Sequence, residues 1–94
     1  MVLEMIKFRK LLDDEGITWH DASDKDVLDI YHIDRTHFTY CGYNWSVVHG
    51  RGTFGENQGL LEMMSNAVND GDPLGWLTAN EVFAYVKGEQ MKWT

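Results

Sequence analysis

The chain has 94 residues, 44% of them hydrophobic and 13% aromatic, and a formal charge of −7 from fifteen acids against eight basic residues. That length holds one domain and not two, and the aromatic content excludes a disordered tract. The charge opposes direct binding to a nucleic-acid backbone or an anionic membrane surface, and no window is apolar for the length of a membrane span.

The first predicted element is a helix from Val2 to Glu15. Met5, Phe8 and Leu12 recur at +3 and +7, and Ile6 and Leu11 broaden the stripe. Gly16 stands where a left-handed cap ends a helix, with Ile17 folding back onto the last turn. Ile17-Thr18-Trp19-His20 reads as a short strand and Asp21 to Asp26 as a polar turn. Ser23 and Asp26 also have the spacing of a capping box for a helix over Val27–Tyr31. A strand is preferred there, because β-branched and aromatic residues continue through Tyr31, Ile33, Phe38 and Tyr40.

From Asp29 to His49 the pattern predicts a three-stranded antiparallel meander. Its turns are Asp34-Arg35 and Gly42-Tyr43, the second with glycine first as in a type II′ turn. The implied register sets Ile33 opposite Thr36 and Cys41 opposite Asn44. One face collects Tyr31, Ile33, Phe38, Tyr40, Trp45 and Val47, and the other His32, His37, Thr39, Cys41, Asn44 and Ser46. Such a sheet needs helices on one side only.

After a glycine-rich run over Gly50–Gly59, the spacing of Leu60, Met63, Met64, Ala67 and Val68 predicts a helix from Gly59 to Asn69. Asp70-Gly71-Asp72-Pro73 breaks it. The last helix opens on a capping box of Thr78 and Glu81 with a staple of Leu77 and Val82. Val82, Phe83 and Val86 face inward and Gly88 ends it. Residues 89–94 are expected to form a flexible tail. The predicted fold is one α+β domain over residues 1–88. It comprises an N-terminal helix, a mostly antiparallel sheet of three or four strands, and two C-terminal helices on one sheet face.

Gly50, Gly52 and Gly55 match G-x-G-x-x-G, so Gly50, Arg51, Gly52, Thr53 and Gly55 form a candidate phosphate or nucleotide loop. The preceding strand is antiparallel, the remaining chain is too short for a dinucleotide sheet, and no Gly-Lys-Ser/Thr follows. A sheet-to-helix connection needing positive φ is the favoured reading. In the proposed hairpin His32 and His37 lie opposite, close enough to share a metal that Cys41 or His20 completes. No spacing signature supports this, so solvated histidines are preferred and no metal or cofactor is expected. Cys41 has no evident base or helix dipole to activate it, and the paired carboxylates Asp13-Asp14 and Asp70/Asp72 fall at helix ends and loops. No enzymatic activity is expected.

With one cysteine there is no internal disulfide, which fits a reducing, cytoplasmic compartment. Met1–Ile6 carries Glu4 and no long apolar stretch, so no leader peptide is expected. Tyr43 at a turn, Phe54 inside the glycine run and Trp76 beside Gly75 are the aromatics suited to an interface, and plugging the ends of the small core is an equal reading of Phe54 and Trp76.

The runs Arg35-Thr36-His37-Phe38, Gly42-Tyr43-Asn44-Trp45-Ser46-Val47 and Gly75-Trp76-Leu77-Thr78-Ala79 stand out in company. Together with Gly50-x-Gly52-Thr53-Phe54-Gly55 and Gly59-Leu60-Leu61-Glu62, they resemble small uncharacterised proteins encoded by bacterial phages and prophages. The resemblance covers Gly16 to Val86 and implies no activity and no site residues. It favours an accessory protein that acts by binding a host or phage protein; its acidic surface suits a basic, nucleic-acid-binding groove, although solubility is the preferred reading of the charge itself. Self-association as a homodimer, through the polar face or an open sheet edge, is a third reading.

Overall fold

The structure, a computed structural model, describes residues 1–24, 32–50 and 52–88. Helix α1 spans Leu3–Asp14 and buries Met5, Phe8, Arg9 and Leu12, the i, i+3, i+4, i+7 stripe of an amphipathic helix. Its end is the expected glycine cap. Gly16 has φ +73°, its N–H donates to Asp13 O at 3.0 Å, and the Ile17 N–H donates to Leu12 O at 2.9 Å.

Among the described residues five strands follow: β1 (His20–Asp21), β2 (Ile33–Tyr40), β3 (Tyr43–Gly50), β4 (Leu61–Ser65) and β5 (Leu74–Leu77). They form one sheet in sequence order, each pair antiparallel. Helix α2 (Ala79–Val86) opens on the expected capping box: Thr78 Oγ1 accepts from the Glu81 N–H, and a Glu81 carboxylate oxygen accepts from the Thr78 N–H. Both helices cover the same sheet face. Met5, Phe8 and Leu12 from α1 and Ala79, Val82 and Val86 from α2 share a core with Phe38, Trp45, Val47, Leu61 and Met63. The α+β class and the N-terminal helix therefore stand, while the described residues hold five strands in place of three or four and one C-terminal α-helix in place of two.

Three local expectations are corrected. Asp34-Arg35 is no turn, since β2 runs through it. Asp34 is buried, and the Arg35 N–H donates to Ser23 Oγ while its side chain pairs with Asp24. The first strand of the predicted meander, and the choice between strand and helix over 27–31, lie outside the described residues. The second turn is centred one residue earlier, at Cys41 (φ +53°) and Gly42 (φ +81°), with Tyr40 opposite Tyr43. Positive φ at both positions makes it a type I′ turn, whose twist suits a hairpin. Moving a two-residue loop by one position shifts the register by two, so Phe38, Tyr40, Trp45 and Val47 keep their inner face. Ile33, freed of its supposed turn, belongs with His37 on the outer face.

The third correction is the predicted helix over 59–69, which is strand β4. Leu61, Met63 and Ser65 are buried, while Glu62 and Met64 point outward. Leu60, Met63, Met64 and Val68 fit a helical stripe, but Leu61, Met63 and Ser65 fit an alternation equally well, and pairing with β3 decides for the strand. The expected tail, residues 89–94, lies outside the described residues. No helix among the described residues is long and apolar enough to cross a membrane.

Candidate functional site

The glycine-rich run leaves the end of β3, forms a single 3-10 turn at Glu56–Gln58, and enters β4. Most of its described backbone donors, all but those of Gly55 and Asn57, are taken by the run itself and by β4. Thr53 Oγ1 accepts from the Gly50 N–H and donates to Gly50 O. The Gly52 N–H donates to the Glu56 carboxylate and the Phe54 N–H to the Glu62 carboxylate, each at 3.1 Å. The N–H groups of Thr53, Glu56, Gln58, Gly59 and Leu60 donate to carbonyls within 50–60. Two carboxylates thus sit where a bound phosphate would, and the following element is a strand without a helix dipole. Arg51 lies outside the described residues.

What the loop does hold is an aromatic pair. Phe54 stacks on Trp76 of β5 with centroids 5.1 Å apart and planes 24° apart, yet the two residues remain 47% and 56% exposed. The backbone is specialised to bring them together. Trp76 adopts φ +56° inside a strand, a conformation uncommon for any side chain and an outlier for a bulky one. A Cβ at Gly75 would lie 2.1 Å from Phe54 Cβ, and one at Gly55 would lie 3.2 Å from the Trp76 backbone. Gly75 is accordingly as much a part of this surface as the rings.

More exposed apolar surface lies at this end of the molecule. The Ala79 N–H, just beyond β5, donates to Glu4 of α1 at 2.8 Å, and Gly59 packs against Val2. That sets exposed Met1 and Leu3 beside the same end of the fold. Tyr43, also exposed, sits at the hairpin tip on the other end of β3 and belongs to no shared patch with Phe54 and Trp76. Two carboxylates lie beside the pair: Glu56 lines the same hollow as Phe54 and Trp76, and Glu62 accepts from the Phe54 N–H; along the sequence, residues 52–86 hold five acids and no lysine or arginine.

His32 and His37 are not partners. They are five residues apart along one extended segment, a separation of about 16 Å. His37 stands opposite His20 of β1, while His32 Nε2 lies 2.5 Å from Oδ1 of buried Asp34. Asp34 faces His49 across the β2–β3 ladder, and His49 Nε2 lies 3.3 Å from Glu56 O. Cys41 is exposed at the type I′ turn. Among the described residues no group of three or more His, Cys, Asp or Glu side chains converges on a metal position.

Arg9 is absent from the apolar stripe read from the sequence, yet it is buried beside Met5, Phe8 and Leu12. Its Nε donates to Thr36 Oγ1 at 2.7 Å, one Nη to Arg35 O and Asp21, and its guanidinium lies 4.6 Å over the Trp19 ring. It fastens α1 to β1 and β2 and is a structural group. Compared with known protein families, curated proteins and solved structures, the chain matches none.

Proposed function

We propose that the protein acts by binding another protein through the Phe54–Trp76 surface, and that its partner presents a basic segment there. The observation that carries this is a stacked, half-exposed aromatic pair held by a left-handed tryptophan and by a glycine at which any side chain would meet Phe54. Strain of that kind, on the order of 1–3 kcal/mol, persists where the exposed geometry is itself the useful product. Aromatic faces with the Glu56 and Glu62 carboxylates beside them suit an arginine or lysine, through cation–π contact and ion pairing together. The accessory-protein reading, in which an acidic surface occupies a basic groove, is the form of this function that the charge favours.

Strand addition at the sheet edge is the less suitable mode. β5 has four residues and a left-handed kink at Trp76, and β1 has two, which are the features that protect edges from pairing. A phosphate in the Gly50–Gly59 loop would first have to displace Glu56 and Glu62 from its amides.

The test separates binding from packing. Trp76→Asn suits the left-handed conformation and leaves the net charge unchanged. It is expected to keep the melting stability within about 1 kcal/mol, since lost stacking offsets relieved strain, and to weaken binding of an oligo-arginine peptide at least fivefold. Phe54→Ser should weaken it similarly, and Tyr43→Ser should not. A loss of stability well beyond that in Trp76→Asn, with peptide affinity retained, makes the pair a core plug and overturns the proposal.

A further inference from the structure

The outer face of the sheet, away from both helices, carries a groove of about 710 Å³ lined by Thr18, His20, His37, Thr39, Ser46 and Met64 among others. The register explains how they meet. His20 on β1 stands opposite His37 on β2, His37 opposite Ser46 on β3, and Ser46 opposite Met64 on β4. One transverse row therefore crosses four strands on one face. The alternation of β1 confirms which face it is: Asp21, the next residue, turns inward to Arg9. Directly opposed residues have Cβ atoms about 5 Å apart, near enough for two imidazoles to close on one ion.

Both imidazoles are exposed, and no hydrogen bond or ion pair among the described residues engages either of them. The other two histidines are held, His32 by Asp34 and His49 by Glu56 O. No carboxylate is among the described residues that line the groove, so nothing there favours a hard cation such as Mg²⁺ or Ca²⁺. Imidazole nitrogens favour late first-row divalent ions, in the order Cu²⁺ above Ni²⁺ and Zn²⁺.

From this juxtaposition we infer that His20 and His37 form a two-imidazole site for a late first-row divalent cation. With two protein ligands the site keeps open coordination positions, which water or a donor from an incoming molecule fills. It is separate from the Phe54–Trp76 surface and does not rest on it.

Calorimetric titration of the untagged chain with Cu²⁺, Ni²⁺ and Zn²⁺ tests the site. One ion per chain is expected, Cu²⁺ the tightest, with Mg²⁺ silent. His20→Ala and His37→Ala should each weaken binding at least about tenfold, a loss seen even when only an outer partner of a metal ligand is removed. Both positions are exposed, so the variants should keep the parental melting temperature. Paramagnetic Ni²⁺ should broaden amide signals of residues around His20, His37 and Ser46, and Trp76→Asn should bind the ions as the parent does. Affinity unchanged in either histidine variant, broadening centred elsewhere, or no binding by the parent at millimolar ion overturns the inference.

Discussion

Gly75 and Trp76 are neighbours in sequence with opposite conformational problems. Gly75 has no positive φ to require it; its constraint is steric, because Phe54 occupies the space a side chain would take. Trp76 has ample space and a backbone angle that disfavours it. Gly75→Ala must therefore push Phe54 off Trp76 or open the β4–β5 pair. Overpacking of this sort costs about 1–3 kcal/mol. Melting in denaturant should show that loss, together with greater exposure of Trp76, whereas Gly71→Ala, with nothing within 4 Å of its Cβ, should show only the strain of its φ of +88°. Phe54 and Trp76 were both visible in the sequence as aromatics beside glycines. Their union was not visible, because it depends on a kink at Trp76 and on a contact between residues twenty-two positions apart.

Elements with local end signals were the ones legible in sequence. Gly16 and Ile17 end α1, and Thr78 and Glu81 open α2, through contacts among residues a few positions apart. Strand β4 carries no such signal, and its state is decided by pairing with β3. The attachment of β1 is likewise non-local, and it titrates. The Asp21 carboxyl is held below its usual range first by the hydroxyl and amide of Ser23 and then by Arg9. A lowered folded pKa stabilises the fold above the unfolded value of about 3.9 and loses that contribution as pH falls through the folded value. Asp21 is more than half exposed, so its share is below about 1 kcal/mol. Thermal melts from pH 6 down to pH 2 should fall less steeply for Ser23→Ala than for the parent, the gap narrowing in acid to the pH-independent cost of the acceptor that the Arg35 N–H loses. Curves that stay parallel throughout place the stabilisation elsewhere.

Across the whole molecule the charge acts on stability and on binding with opposite signs. With fifteen acids and eight basic residues, the folded chain repels itself more than the expanded one does. Its described ion pairs are mostly exposed, as in Lys10–Asp14 and Arg35–Asp24, and so are individually weak. Salt that shortens the screening length from about 30 Å at 0.01 M to about 3 Å at 1 M removes more repulsion than attraction. The melting temperature should therefore rise across that range. Capture of a basic segment at Phe54 and Trp76 relies on attraction from Glu56, Glu62 and the net negative charge, so oligo-arginine affinity should fall over the same range. The aromatic contact supplies a residual that salt does not remove and that Trp76→Asn does. A binding curve flat in salt removes the carboxylates from recognition, and a melting temperature that falls with salt shows that the ion pairs outweigh the net charge.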